Sequence, residues 1–190
     1  MSISESTGTG LEATLKIPDG VQVNIHGRVL EVRGPRGNIS KDLSKIPVEV
    51  SIISNGSIAI RPLLARGKPR RKEKAIVNTI HSIIRNMIEG VIHGYTYRLK
   101  IVHAHFPISV KVKGKQVLIE NFIGERSPRI AEIVGECKVS VEGDDVIVKG
   151  VSLEDVSQTA ANIENATRIK EKDTRVFLDG IYIYAKEKGM

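Results

Sequence analysis

Ile169 to Tyr184 reads IKEKDTRVFLDGIYIY, and the fold follows from how this stretch is read. Lys170, Lys172 and Arg175 precede an apolar, aromatic run that is interrupted at Asp179-Gly180. Alternating aromatic and β-branched residues fit a pleated, half-buried surface, so the run predicts a strand. Phe177 and Tyr182 read as core residues of that strand. An apolar strand must be taken up in a sheet, and the cationic segment before it is then pinned to a rigid platform.

The rest of the chain repeats this logic. Val21, Val23 and Ile25 alternate with polar residues, His26-Gly27 turns the chain, and Leu30 and Val32 return it. Gly34-Pro35-Arg36-Gly37 follows as a tight turn, its glycines read as positive-φ positions, with Arg36 at the tip. Val48, Val50 and Ile52 then face Ile58 and Ile60 across Asn55-Gly56, the strongest short hairpin signal. A basic run, Leu63 to Lys74, leads into Ile76, Ile80, Ile83, Ile84, Met87 and Ile88 at helical spacing, ending at Gly90. Tyr95 to Val102 then completes a sheet.

After Phe106-Pro107 the order recurs. Val110 and Val112 face Val117 and Ile119, and a glycine turn at Gly124 stands where the Gly34–Gly37 turn stood. Val139 and Val141 face Val146 and Val148 across Gly143-Asp144. A helix begins at Ser152, with Asp155 placed for a capping box and Val156, Ala160, Ile163 and Thr167 on its inner face. Gly180 to Tyr184 matches Gly94 to Tyr97 as the closing strand. Matched landmarks lie roughly 80–90 residues apart, which identifies a duplication. The expected fold is α+β: two tandem modules, each a small, mostly antiparallel sheet with one helix packed on a face. Residues 1–14 read as a flexible extension, 15–103 as the first module and 104–190 as the second.

Composition narrows the function. Of 190 residues, 29 are Lys or Arg against 22 Asp or Glu, a net charge of +7, which favours an acidic partner and nucleic acid first. A lone cysteine, Cys137, excludes an internal disulfide framework; its alternating context reads as a packed, inert thiol. No apolar run approaches the roughly 20 residues needed to span a bilayer, and no secretory signal opens the chain, so a cytoplasmic protein without membrane partners is expected.

Catalysis finds little support. The Gly34–Gly37 turn lacks the Lys-Ser/Thr end of a phosphate loop. His103 and His105 share a strand face but lack a third ligand at supporting spacing, so no metal is assigned. No cofactor motif is present, and the chain reads as a binding protein, not an enzyme. With no Trp, three Phe and four Tyr, it has few stacking platforms for single strands. Cations on constrained backbone suit the phosphates and 2′-hydroxyls of folded RNA. These lie in Asn121 to Arg129, with Arg126 and Arg129, and in Arg168 to Arg175. Arg36, Lys68, Arg70 and Arg71 form a second, weaker candidate group.

Arg175-Val176-Phe177-Leu178-Asp179-Gly180-Ile181-Tyr182, with Lys172 three residues before it, resembles the C-terminal signature of the large-subunit ribosomal protein L-six family. The form it resembles is the archaeal and eukaryotic one, called L-nine in eukaryotic nomenclature. Ser157 to Ile163, the Gly34–Gly37 turn, Asn86-Met87-Ile88 with Gly90-Val91, and His105-Phe106-Pro107 match as well. Asn165 departs from the pattern, standing where the signature has glutamine. The resemblance implies two duplicated modules and a structural role in the large ribosomal subunit. The implied partners are large-subunit rRNA near the sarcin–ricin loop, neighbouring ribosomal proteins, and translational GTPases docking nearby. It carries RNA contact onto Arg126, Arg129, Lys170, Lys172 and Arg175, and makes Asp179 and Gly180 the turn that shapes the site. The rival readings are a free RNA chaperone or regulator, a metal-dependent RNA-processing enzyme using His103 and His105, and an adaptor presenting the helix Ala75–Ile88.

Overall fold

In the computed structural model, residues 11–53, 56–63, 71–104, 106–170, 173 and 176–190 are described, and the chain divides into two compact units, 1–92 and 93–190. The first holds β1 (Ala13–Lys16), β2 (Gln22–His26), β3 (Val29–Gly34), β4 (Gly37–Asp42), β5 (Val48–Ile53), β6 (Ser57–Pro62) and α1 (Arg71–His93). Two antiparallel sheets result, β2-β3-β4 and β1-β6-β5. Alternation sets the pairing: Val23 faces Val32, Ile25 faces Leu30, and Val50 faces Ile60. The central strand β6 buries Ile58, Ala59 and Ile60. Arg28 holds the β4–β5 connection, donating to the carbonyls of Leu43 and Ile46.

The first strand already includes Ala13 and Thr14, which pair with Ile60 and Ala59, so the expected extension ends sooner than residue 14. Helix α1 buries Val77, Ile80, Ile84, Met87, Ile88 and Val91 and runs through Gly90, which is itself buried. Gly90 is expected to stop the helix, but it lies inside α1, which continues to His93. The Pro35-Arg36 turn sits on Val91, whose carbonyl accepts from the Arg36 amide at 3.0 Å, satisfying one of the unpaired carbonyls that end a helix. Gly34 is not at positive φ; a Cβ there would lie 2.7 Å from Val91 Cγ2, so its smallness serves close approach.

The second unit holds β7 (Tyr95–Val102), β8 (Ser109–Lys113), β9 (Gln116–Glu120), a 3₁₀ turn (Phe122–Gly124), β10 (Arg129–Glu132), β11 (Lys138–Glu142), β12 (Asp145–Gly150), α2 (Leu153–Ala166) and β13 (Gly180–Lys188). Its sheets are β10-β9-β8 and β11-β12-β7-β13, all antiparallel. Val110 faces Ile119, Val139 faces Val148, and Val141 faces Val146, the registers that alternation predicts. Ser152 caps α2, its hydroxyl accepting from the Asp155 amide at 3.3 Å, and Val156, Ala160, Ile163 and Thr167 are buried. Among these, Val156, Ala160 and Ile163 join a core that includes Leu99, Ile119, Phe122, Val146 and Ile181.

The duplication is present, in a different order from the expected one. In each unit one strand leads, a three-stranded meander follows, then a hairpin, then a helix: β1-β6-β5 corresponds to β7-β12-β11, and β2-β3-β4 to β8-β9-β10. Each module therefore carries two small sheets. Tyr95–Val102 does not close the first module. It lies between β12 and β13 in the second unit's larger sheet, and the division falls after residue 92, not 103. The similarity between Gly94–Tyr97 and Gly180–Tyr184 links two paired neighbours, not two equivalent strands. An alternating strand, with Tyr95, Tyr97, Leu99 and Ile101 on one face, looks the same whether it opens or closes a module.

Candidate nucleic-acid interface

The loop joining β9 to β10 occupies the place that the Pro35-Arg36 turn occupies in the first unit, but is built differently. Asn121 (φ 58) and Ile123 (φ 52, ψ 32) are left-handed. For a β-branched residue this conformation is a genuine strain of roughly 1–3 kcal/mol, which persists only where neighbours hold it. Here Phe122 is fully buried, Asn121 Nδ2 donates to the Pro107 carbonyl at 3.0 Å, and the Glu125 amide donates to the Phe122 carbonyl at 3.0 Å.

Arg129 locks the loop from the other side. Its Nε donates to Glu125 Oε2 at 2.8 Å and its Nη2 to Glu125 Oε1 at 2.6 Å. Its Nη1 reaches the Ala166 carbonyl at 2.8 Å and the Arg168 carbonyl at 3.3 Å, and the guanidinium lies 4.3 Å from the centre of the Phe122 ring. The hydrogen bond from Arg129 holds the Glu125 carboxyl below its ordinary range, against the opposing pull of desolvation. A residue expected to meet RNA thus also donates to the Glu125 carboxylate, to the carbonyl of Ala166, the last residue of α2, and to that of Arg168 beyond it.

Around this clip lies a groove of about 740 Å³, lined by Ile123, Glu125, Arg129, Ile130, Asn165, Ala166, Arg168, Ile169 and Lys170. Arg126, Arg168 and Lys170 are exposed and make no ion pair with the described residues. Arg168 and Lys170 follow the C-terminus of α2, where the helix dipole favours cations. Thr167 anchors this exit, its hydroxyl donating to the Glu164 carbonyl and accepting from the Ile181 amide, both at 3.0 Å. Loop and helix end therefore present their cations from one fixed frame.

Asp179 is buried and accepts a hydrogen bond from the Ala104 amide, tying the chain after β7 to the start of β13. A Cβ on Gly180 would lie 2.9 Å from the Tyr182 ring, whose hydroxyl donates to the Leu178 carbonyl at 3.2 Å. The pair shapes backbone, and the strand begins at Gly180 with no run before it. Tyr182 is 43% exposed, so the core reading of this side chain is corrected; Phe177 is half-buried. Arg36 is exposed at its turn and Arg71 at the start of α1. Lys68, Arg70, Lys172, Arg175 and His105 lie outside the described residues.

His103 is exposed, and among the described residues no group of three His, Cys, Asp or Glu could hold a metal ion. Burial pushes the half-buried Cys137 thiol up to about 11, the state of an unreactive cysteine. No helix among the described residues is long and apolar enough to cross a membrane. Sequence reasoning placed Ile123 and Glu125 in the cationic loop and noted Asn165 as the departure from the signature, but gave none of the three a role of its own. Glu125 and Arg129 do stand four apart, but outside a helix that spacing implies no contact. Asn165, the departure from the signature, is exposed and its carboxamide has no hydrogen-bond partner among the described residues.

Comparison with known proteins places the chain. The sequence model of ribosomal protein L6 matches it twice, over residues 17–94 and 106–180. It is 47% identical over 186 residues to the large ribosomal subunit protein uL6 of Ignicoccus hospitalis, covering 93% of this chain and 95% of that one. The uL6 of Staphylothermus marinus is 49% identical over 173 residues (90% and 91% covered), and that of Methanobrevibacter smithii 45% over 173 residues (91% and 94%).

Proposed function

The chain belongs to the ribosomal protein L6 family, and from that premise we propose that it is a structural component of the large ribosomal subunit without catalytic activity of its own. It binds folded large-subunit rRNA in the cytoplasm, chiefly through its second unit, near the sarcin–ricin loop where translational GTPases dock, among neighbouring ribosomal proteins. The observation that carries this reading is the set of exposed cations Arg126, Arg168 and Lys170, without an ion pair among the described residues, on a locked loop and helix end. Lys172 and Arg175 extend the same basic stretch in sequence. Arg36, Lys68, Arg70 and Arg71 make a weaker contribution from the first unit.

Mechanistically, cations on a rigid frame displace condensed counterions without first paying for their own ordering, and backbone shape is read in place of base sequence. Each phosphate met steepens the fall of log affinity with log salt by about 0.7–0.9. Arg168→Glu with Lys170→Glu should therefore flatten that slope by roughly 1.4–1.8 and reduce incorporation into large subunits during sedimentation, with the fold intact by circular dichroism. Normal incorporation and an unchanged slope would refute the assignment.

A further inference from the structure

We propose that the groove between the 121–129 loop and the end of α2 receives one unpaired nucleotide of the bound RNA. Its base lies against Ile123, Ile130 and Ile169 with its edge at Asn165, and its phosphate lies on Arg168 and Lys170. This rests on the rRNA reading above and specifies what one part of that surface takes.

Cations alone would need no apolar lining, yet Arg168 and Lys170, which make no ion pair with the described residues, line a groove together with three isoleucines. Ile130 is 53% exposed, and Ile123 and Ile169, half-buried against the core, line the same groove. Ile123 is held there in a left-handed conformation that β-branched residues avoid, and backbone strain of this kind gathers at functional sites. The Asn165 carboxamide, exposed in the groove lining and without a hydrogen-bond partner among the described residues, offers a donor and an acceptor together, the pairing that a base edge presents.

The charge balance selects the occupant. One carboxylate, Glu125, lies among three cations, and Arg129 already neutralises it. An apolar peptide would cover the isoleucines but leave Arg168 and Lys170 without counterions. Paired A-form RNA would supply phosphates but keep its base faces stacked and out of reach. An unpaired nucleotide brings an apolar face, a hydrogen-bonding edge and an anion at once. The volume also falls inside the roughly 300–1,000 Å³ of sites that take small ligands.

The test uses the full chain on deproteinised large-subunit rRNA, mapped with base-modifying and ribose-cleaving probes. The parent protein should shield at least one base that is reactive in the free RNA. Ile130→Ser, at an exposed position that tolerates the change, should lose that base protection and bind roughly tenfold more weakly. Its ribose protections and salt slope should stay as in the parent. Asn165→Ala should weaken binding in the same direction, also at constant slope. Parental affinity of Ile130→Ser, or ribose protection by the parent without protection of any unpaired base, overturns the nucleotide and leaves the rRNA reading standing. Parental RNA affinity combined with poor assembly reassigns the groove to a protein side chain. If the parent protects no part of the rRNA, the rRNA reading fails and takes the nucleotide with it.

Discussion

Replacing Arg129 separates a positioning residue from a phosphate contact. Arg129→Gln removes the fork to Glu125, the bonds to the α2 carbonyls and the stack on Phe122. Arg129 is 29% exposed and Glu125 41%, so solvent screens the ion pair and each charged bond is worth about 1 kcal/mol, less than in a dry interior. The stack adds about 0.5–1 kcal/mol, and glutamine can remake one bond, which leaves a loss of about 2–3 kcal/mol. For a unit of this size that lowers Tm by about 10–15 °C, read by thermal circular dichroism on the full chain. Arg129→Lys keeps the charge but not the planar fork and should lose most of the same stability.

The pH dependence follows in sign. Hydrogen bonding from Arg129 holds the Glu125 carboxyl below its ordinary value of 4.5, so the stability it contributes is complete above that pH and is lost as pH falls through the lower folded value. The gap in Tm between parent and Arg129→Gln should therefore narrow below about pH 4.5. In rRNA binding, a positioning role leaves the salt slope unchanged, whereas a phosphate contact would flatten it by about 0.7–0.9. An Arg129→Gln protein with parental Tm and a flattened slope would refute the reasoning.

Two further outcomes concern the frame. Gly34→Ala places a Cβ 2.7 Å from Val91 Cγ2 and 2.8 Å from the Val91 carbonyl oxygen, which cannot move cheaply; denaturant unfolding should show a loss of about 2 kcal/mol, only partly relieved by Val91→Ala. Cys137, with its thiol raised to about 11, should be alkylated at pH 8 about a hundredfold more slowly than free cysteine and at an ordinary rate once unfolded; equal rates in both states would contradict its burial.

Much of this molecule is written locally. Gly143-Asp144 and the alternating valines set hairpin registers because both partners lie within a few residues of one turn, and Ser152 starts α2 through an amide three residues on. The cationic exit of α2 is equally legible, since Arg168 and Lys170 follow the helix directly. From sequence alone came the duplicated α+β plan, the basic partner surface and the family resemblance.

Tertiary structure decided which neighbours the ambiguous residues take. Nothing within Tyr95–Val102 says that it pairs with β12 and β13, because an apolar strand accepts any edge that matches it. Nothing near Arg129 says that its Nη1 turns to α2, because the carbonyl it meets lies 37 residues away at the end of that helix. The left-handed twist at Ile123 is likewise imposed from outside, by the burial of Phe122 and the bond from Asn121 to Pro107. Patterns of period two and 3.6 encode which face is buried; they do not encode what covers it, and that is where a charged side chain becomes either a contact or a clip.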